Sequence, residues 1–280
     1  MRYLFFLAVF LVSLIVRGQT DVNYAQLIYN PGLINPSWLN MEKSLQGSFH
    51  YKKAWSGVDG APQMGGFNIH NTFGKTSWGI GIDGQFAKAG IRKNNRFGIS
   101  VDAGIPLPGV SRLAVGVYLG IDMKKYDWGD VEESVKGKYD YNSFVAGVGV
   151  TYAYKRLTLG GSGYMTFDKE DENIYRLYFV GSYRIPLCDN WQVKPLIFYN
   201  YDSRWDDYVE VGVRGGYKDI VNVGVSSDFD NRITLLGEIG LFSYVSFAYS
   251  YDVHMGDLAD LSKGAHEFSL KFNLASVFSK

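Results

Sequence analysis

The chain has 280 residues, with 28 Lys and Arg against 28 Asp and Glu, so its formal net charge is zero. A nucleic-acid-binding protein normally carries a basic excess, and this balance argues against that class. The single cysteine, Cys188, excludes an internal disulfide and a metal site built from several cysteines. The 21 tyrosines, 18 phenylalanines and 33 glycines are typical of aromatic-rich strands separated by small and polar residues.

The first eighteen residues have the pattern of a secretory signal peptide. Arg2 gives a short positive start, an apolar run extends from Leu4 to Val16, and cleavage is expected after Gly18. A membrane anchor is the alternative, for which the apolar run is short. No cysteine follows the run, which argues against a lipoprotein. We therefore predict that residues 1–18 direct export, and we find no later stretch with the composition of a membrane-spanning helix.

Residues 19–42 form a lead-in that contains the stretch NPGLINPSWLN at 30–40. Its two Asn-Pro pairs disfavour both helix and central strand, because proline lacks a backbone donor and restricts the residue before it. The apolar side chains of this stretch require burial. Two alternatives follow: the segment plugs the lumen or mouth of the protein's own barrel, which we favour, or it holds a periplasmic partner. The candidate residues are Asn30, Pro31, Leu33, Asn35, Pro36 and Trp38.

Period-two alternation of apolar and polar residues dominates from residue 43 onward. A soluble sandwich and a membrane barrel both produce this pattern. The length of the segments and the aromatic residues near their ends favour the barrel. We predict an all-β fold, a transmembrane antiparallel β-barrel of about 14 strands over residues 43–280. The strands are expected at 43–55, 62–73, 76–86, 92–105, 111–124, 141–154, 156–167, 173–187, 190–203, 206–217, 219–228, 231–241, 243–254 and 264–277.

The connections between these strands alternate in length. Short connections are expected at positions such as Lys155, Lys218 and Phe242, and longer ones at 56–61, 87–91, 126–139, 168–172 and 255–263. Outer-membrane barrels have short periplasmic turns and longer external loops. The alternation therefore places the protein in the outer membrane of a Gram-negative bacterium, with both termini in the periplasm.

Charged residues recur on the polar faces of the strands, where a barrel directs them into its lumen. They are Asp83, Arg96, Asp102, Arg112, Asp122, Glu210, Arg214, Arg232, Glu238, Glu267 and Lys271. Both signs are present, so the charges either pair across a narrow interior or line a water-filled pore. We favour pairing, because buried charges are usually paired.

Signals of catalysis, cofactor binding and metal binding are weak. The four histidines, His50, His70, His254 and His266, have no metal-type spacing. The stretch GIGIDG at 79–84 lies within a strand pattern, which argues against a dinucleotide site. The acidic loops around 127–133 and 168–172 lack the ordered spacing of a calcium loop and are expected to be solvated surface. An outer-membrane hydrolase using His266 with Ser262 or Ser269 lacks a carboxylate at motif spacing. We predict no enzyme activity, no cofactor and no metal.

Four signatures, in order, resemble the PorP/SprF family of type IX secretion outer-membrane proteins. The lead-in YNPGLINPS at 29–37 resembles the double Asn-Pro entry of the family. WSGVDGAP at 55–62 resembles its first hairpin loop and adds Trp55, Gly57, Gly60, Ala61 and Pro62 to the candidate residues. YRIPL at 183–187 with the strand from Trp191, and FAYSYD at 247–252 with GAHE at 264–267, resemble its middle and closing hairpins. Ser37-Trp38 departs from the common Ala-Tyr, and the loop at 126–139 matches no family pattern.

The resemblance implies a noncatalytic role in type IX protein secretion, in some members connected with gliding motility. The implied partners are of two kinds. One is a secreted cell-surface protein such as an adhesin, recognised through a type B C-terminal sorting domain. The other is a set of periplasmic peptidoglycan-binding and ring components of the system. The sequence leaves both open, and it leaves open a second function from another class: an outer-membrane diffusion channel or transporter of small hydrophobic solutes.

Overall fold

The computed structural model describes residues 26–274, apart from residues 42–43, 59, 74–76, 128–137, 169–171, 219, 230–231, 257–258 and 260–261. The predicted signal peptide and the last residues of the predicted closing strand therefore lie outside the described residues. Within the described residues, no helix is long and apolar enough to cross a membrane.

The chain is almost wholly β. Its strands are β1 (Leu45–Lys53), β2 (Gln63–Thr72), β3 (Trp78–Ala89), β4 (Arg92–Pro106), β5 (Ser111–Asp127), β6 (Lys138–Tyr154), β7 (Leu157–Phe167), β8 (Ile174–Tyr183), β9 (Ile185–Pro186), β10 (Trp191–Asp202), β11 (Trp205–Tyr217), β12 (Val221–Ser227), β13 (Arg232–Phe242), β14 (Val245–His254) and β15 (Ala265–Asn273).

The strands form one closed antiparallel sheet. Apart from β8 and β9, which do not pair with each other, each strand pairs with its neighbours along the chain, and β15 pairs with β1, with Leu270 opposite Phe49. Because β8 and β9 both pair with β10, they are two parts of one barrel strand, and the 15 segments make a 14-strand barrel. The predicted fold class and strand number are confirmed.

The division between β8 and β9 has a local cause in β10. Leu196 of β10 pairs with Ser182 of β8, and Val193 pairs with Ile185 of β9, so the ladder on this side of β10 is interrupted at Lys194 and Pro195. Proline has no N–H to donate to a ladder, and the pairing is interrupted where Pro195 lies. The sequence pattern predicted one uninterrupted strand over 173–187, and the structure corrects it.

Alternation along each strand separates a lipid face from a lumen face. In β13, Leu235 and Ile239 are exposed outward, whereas Thr234 and Glu238 are buried inward. Exposed large apolar side chains recur in this way around the whole barrel. An outward apolar band with a polar interior is the arrangement of a membrane β-barrel.

The predicted connection at 87–91 is wrong. Strand β3 continues to Ala89 and β4 begins at Arg92, so the connection contains only Gly90 and Ile91. Gly90 has a φ of 54°, a left-handed conformation that two-residue hairpin turns use. Strands β5 and β6 likewise extend beyond the prediction, to Asp127 and from Lys138. Alternation weakens where strands rise out of the membrane, which explains why the sequence placed these ends too early.

Two rims result from these connections. The rim that carries the β1–β2, β5–β6 and β14–β15 connections is called the long-connection rim, and the opposite one the short-turn rim. Strand β1 begins, and β15 ends, at the short-turn rim. Its tight turns include those at Lys155 and Lys218, where φ is 53° in both cases.

Residues 26–41, called the inner segment, lie inside the barrel. They form three short 3-10 turns, Leu27–Tyr29, Pro31–Leu33 and Trp38–Met41. Pro31 occupies the first position of the second turn, where a missing N–H leaves no helical hydrogen bond unmade. Asn30 precedes that turn with φ −138° and ψ 66°, outside the helical region that is disfavoured for a residue before proline. The Asn-Pro pairs therefore break the chain into compact turns that fit the lumen.

Candidate functional site: a segment folded inside the barrel

The inner segment is hydrogen-bonded to strands on opposite sides of the lumen. Gln26 contacts β14 and β15 through Ser250 and Ser269. Asn30 Nδ2 donates to Ser48 Oγ of β1 at 2.9 Å. At the other end, Asn40 Nδ2 donates to the carbonyl of Ser77, next to β3, at 3.0 Å. These strands are near neighbours around the barrel, and Asn35, bonded to β6 and β7, connects the segment to the opposite wall.

Asn35 is the most heavily bonded residue of the second Asn-Pro pair. Its Nδ2 lies 3.3 Å from the carbonyl oxygens of Val150 and Gly161 and from Thr151 Oγ1, in β6 and β7. Its Oδ1 accepts from Ser37 N at 3.0 Å and from Ser37 Oγ at 2.8 Å. An asparagine that caps the backbone two residues on forms a compact turn. Asn35 therefore shapes the segment and fixes it to the barrel at once.

Glycines on the lumen face provide room for the segment. A Cβ atom at Gly116 would lie 2.9 Å from the carbonyl carbon of Pro36, and one at Gly160 would lie 2.7 Å from the Trp38 ring. Such distances are shorter than real Cβ contacts, so any larger residue displaces the segment. The same close approach holds for Gly104, Gly149 and Gly224, against Asn40, Asn35 and Tyr29. These glycines are required by the segment rather than by strand geometry.

Leu33 and Ile34 belong to the main hydrophobic cluster within the lumen. They are buried with three neighbouring residues of the segment, Leu27, Ile28 and Tyr29. The barrel contributes inward-facing apolar side chains to this cluster: Val180, Leu196, Phe198, Tyr208, Leu236 and Ala248. Burial raises the pKa of the Tyr29 hydroxyl from its ordinary value of 10 to about 12.

The barrel residues of this cluster were not predicted from the sequence, although the sequence contains a pattern that indicates them. Leu196, Ile197 and Phe198 are consecutive apolar residues, so β10 is apolar on both faces at that point. In a barrel with a water-filled lumen, the inward positions would be polar. Apolar residues on the polar face therefore indicate where an internal segment packs.

The first hairpin loop lies apart from the inner segment, at the long-connection rim. Trp55, Gly57 and Gly60 have φ values of 50°, 92° and 71°, so the loop turns sharply three times. Ala61 is buried, and Trp55 is exposed. Asp59, within the same motif, lies outside the described residues.

This loop is joined to the β14–β15 connection. Ser56 N donates to the carbonyl of Gly264 at 2.7 Å, and Lys263 N donates to the carbonyl of Ser56 at 3.1 Å. Gly264 has a φ of 110°, and its N–H is bonded to Ser262 Oγ. The first and last external connections predicted from the sequence therefore form one continuous surface.

One cavity brings the two groups of candidate residues together. Its volume is about 190 Å³, and Leu33 of the inner segment and Pro62 of the first hairpin loop both line it. The structure thus places the candidates in two layers, one in the lumen and one at the rim. Whether any of them binds a partner stays a prediction.

The predicted lumen charges face inward and are extensively paired. Arg96 donates two hydrogen bonds to Asp122, at 3.1 and 2.9 Å. Arg214 and Lys271 both contact Glu238, at 2.7 and 2.9 Å. Three further pairs are Arg232 with Glu210 at 2.8 Å, Lys52 with Asp252 at 2.7 Å, and Arg176 with Asp202 at 2.7 Å. Charges paired in this way connect adjacent strands, or strands separated by one strand in the sheet, and leave little free charge for conduction.

The end of the inner segment joins the charge network near the short-turn rim. Arg112 Nη2 donates to Asn40 Oδ1 at 2.6 Å, and Asn40 Nδ2 donates to Asp102. His70 Nε2 lies 2.5 Å from the other oxygen of Asp102. The predicted lumen charges Asp102 and Arg112 therefore hold the segment as well as the barrel.

One acidic loop residue differs from the prediction. Asp168 was expected in a solvated surface loop, but its carboxylate is fully buried and pairs with Lys124 Nζ. Lys124 also donates to Tyr141 Oη at 3.3 Å, which supports the pair from the next strand. The acidic residues Asp130, Glu132 and Glu133 lie outside the described residues.

The remaining candidates for chemistry lie apart from one another. His266 faces outward, with its Nδ1 2.8 Å from Tyr249 Oη, whereas Ser269 faces the lumen and donates to Gln26. Ser262 bonds to Gly264 in the loop. Among the described residues, no group of three or more His, Cys, Asp or Glu side chains is placed to hold a metal ion.

The fold and its filled interior define a class: a membrane β-barrel of the outer-membrane type with a folded segment in its lumen. The model of the family described as type IX secretion system membrane protein PorP/SprF matches residues 16–272. The chain belongs to this family, as its four signatures indicated. It is an outer-membrane protein, and the family and fold are those of secretion and transport proteins. No curated protein matches the chain.

Solved membrane barrels have a similar fold. The monoaromatic hydrocarbon channel CymD has a TM-score of 0.56 at 10% identity, with 92% of this chain and 94% of that chain covered. The Pseudomonas putida toluene transporter TodX has a TM-score of 0.52 at 9% identity, covering 91% and 94%. A Pseudomonas aeruginosa FadL homologue has a TM-score of 0.51 at 11% identity, covering 91% and 94%. At these identities the likeness concerns the fold alone.

Proposed function

We propose that this protein is a noncatalytic barrel of the type IX secretion system that supports the export or surface anchoring of a secreted protein. The cargo is an adhesin-like cell-surface protein recognised through its C-terminal sorting domain. Through such a cargo the barrel serves gliding motility. In this proposal the barrel acts as a platform in the outer membrane, and it is not the conduit through which the cargo passes.

The filled lumen is the observation that carries the proposal. Gln26 and Asn35 are bonded to opposite walls, β14 and β6–β7, and Leu33 and Ile34, which lie between them in the segment, are buried in the lumen cluster. A diffusion channel requires a continuous water-filled path between the rims. A segment that is bonded and packed across the interior opposes such a path and favours a role as a binding platform.

The proposed orientation follows from the connections. Outer-membrane barrels place short turns in the periplasm and longer connections outside. The long-connection rim, with its joined first and last loops, is then the surface that meets the secreted protein. The short-turn rim, where the termini of the barrel lie, is the surface that meets periplasmic peptidoglycan-binding and ring components.

A second candidate function is transport of small hydrophobic solutes. It is favoured by the cavity of about 190 Å³ that Leu27, Leu33 and Ile34 line at the long-connection rim. It requires the inner segment to move aside, because these three residues lie between the cavity and the rest of the lumen. The two functions make opposite predictions for the purified barrel.

The proposal is tested by two measurements on the full-length chain. Affinity isolation from outer membranes in mild detergent should recover a large secreted protein or the periplasmic components together with the barrel. The first result supports a dedicated carrier, and the second supports a component of the machinery. Reconstituted in planar bilayers, the barrel should show no steady conductance. Steady conductance, or isolation of the barrel alone, would count against the proposal, and uptake of a hydrocarbon by liposomes would support the transporter.

A further inference from the structure

The cavity at the long-connection rim, called the rim cavity, combines three kinds of surface. Leu27, Leu33 and Ile34 of the inner segment form its apolar side. Polar strand residues Asn94 and Asn200 line another side. Lys88 and Arg92, which flank the β3–β4 turn, provide positive charge where the cavity meets the rim.

The two asparagines have unmet hydrogen-bonding capacity. Asn200 is 9% exposed, and its Oδ1 has no hydrogen-bond partner among the described residues; the same holds for the buried Oδ1 of Asn94. A buried carboxamide oxygen left without a hydrogen bond is destabilising. Both asparagines line the cavity, so their carboxamides are the polar groups of its wall that a ligand with peptide groups can meet.

The positively charged residues that line the rim cavity are of two kinds, those held in ion pairs and those that are not. Arg96 and Arg176 are held by Asp122 and Asp202. Neither Lys88 nor Arg92 forms an ion pair within the part of the chain that the structure describes. The available charge therefore lies at the mouth of the cavity, and the apolar surface lies at its bottom.

We propose that the rim cavity binds the end of an extended peptide that bears an apolar side chain and a free carboxylate. The apolar side chain packs on Leu33 and Ile34, the peptide groups pair with the carboxamides of Asn94 and Asn200, and the carboxylate meets Arg92. The inference rests on the proposed function, since it identifies the kind of chain end that a secreted partner would present.

The size and polarity of the cavity favour a peptide end over a hydrocarbon. About 190 Å³ is below the 300–1,000 Å³ of sites for drug-sized molecules, and it suits one side chain with its flanking peptide groups. A hydrocarbon would cover Asn94 and Asn200 without pairing them, whereas a peptide backbone offers both donors and acceptors.

The test measures peptide binding to the full-length protein in lipid nanodiscs. The probe is a fluorescein-labelled hexapeptide, Gly-Ser-Gly-Ser-Gly-Leu with a free carboxylate, compared with the same peptide as its C-terminal amide. Decanoate serves as a hydrocarbon competitor. We expect the acid to bind at least about tenfold more tightly than the amide, because a charge-assisted bond contributes about 1.4 kcal/mol or more.

Variants assign the contacts. Arg92→Gln should weaken binding of the acid about tenfold and leave that of the amide unchanged, whereas Asn200→Ala should weaken both peptides. Lys53→Gln is the matched control, because Lys53 carries the same charge at the same rim, is exposed and does not line the cavity. Equal affinity for acid and amide, displacement by decanoate with no effect of Asn200→Ala, or no binding of either peptide would overturn the proposal.

Failure of the rim-cavity proposal can be distinguished from failure of the proposed function. If the Arg92→Gln and Asn200→Ala variants still isolate a secreted protein while neither peptide binds the wild type, the rim-cavity proposal fails and the proposed function stands. If the peptides bind as expected but no secretion partner is isolated, the site is supported and the assigned system is contradicted.

Discussion

The indole ring of Trp38 lies against the backbone of Gly160, so closely that a Cβ atom at residue 160 would stand 2.7 Å from the ring. Trp38 belongs to the inner segment and Gly160 to the lumen face of β7. A glycine weakens a strand, and a tryptophan in a lead-in needs burial, so each residue is unfavourable unless it contacts the other. Together they form one of the contacts that fix the segment in the barrel.

Replacement of Gly160 should therefore displace the segment. We expect Gly160→Val to lower the free energy of unfolding by about 1–3 kcal/mol, because overpacking forces Trp38 from its position. The matched control is the neighbouring Gly161, which faces outward and where a Cβ would meet only one atom, Tyr178 O at 3.9 Å. Urea unfolding followed by heat-modifiable gel migration measures the difference. Equal stabilities of the two valine variants would contradict the assigned contact.

Asn35 should be needed for anchoring the segment. Asn35→Ala removes its contacts with Thr151, Gly161 and Ser37 and leaves buried polar groups unpaired, at a cost of about 1–3 kcal/mol. Proteolysis of the purified barrel measures release of the segment, which should be cut faster in this variant. Asn142→Ala, at an exposed position of β6, should be cut at the wild-type rate. Unchanged proteolysis of Asn35→Ala would mean that packing alone holds the segment.

A disulfide can report the position of the segment directly. Ser37 Oγ lies 2.8 Å from Thr151 Oγ1, a separation compatible with bridging after Ser37→Cys and Thr151→Cys substitution. In a Cys188→Ser background, which removes the exposed native thiol, we expect these two cysteines to oxidise within the folded barrel. Alkylation followed by mass spectrometry measures the bond.

The control for that disulfide uses the same strand and face. Ser143 is buried on the lumen side of β6, eight residues from Thr151, which is about 27 Å along a strand. Ser37→Cys combined with Ser143→Cys should remain reduced. Cross-linking of both pairs would show that the segment has no fixed position.

The buried pair of Lys52 and Asp252 should contribute more to stability than a surface pair of the same kind. Lys52 Nζ lies 2.7 Å from Asp252 Oδ2, and both side chains are at most 3% exposed. Lys52→Met should cost about 3 kcal/mol, the low end for a broken buried pair, because Arg232 still approaches Asp252 at 3.7 Å. Lys125, paired with Asp140 at 3.5 Å with 56% exposure, is the control. Lys125→Met should cost less than about 1 kcal/mol, and similar losses in both variants would contradict the distinction.

The sequence by itself determined the barrel and which face of each strand meets lipid. Alternation is a local pattern, so the residues from Leu235 to Ile239 are enough to predict which of their side chains face lipid, whatever the neighbouring strands are. The family signatures likewise lie in short contiguous stretches. Prediction from local sequence failed at strand ends such as Ala89, where alternation is weak. It also failed at Asp168, because the cation that pairs with it, Lys124, lies on another strand.

Only the tertiary structure decided what occupies the interior. The two Asn-Pro pairs predict compact turns and a need for burial, but nothing local to Leu33 or Trp38 identifies the surface that covers them. Their contacts lie on strands more than a hundred residues away, such as Gly160 and Phe198, and arise only when the barrel closes. Closure brings distant lumen faces together, and for that reason the plug and the rim cavity depend on the three-dimensional structure.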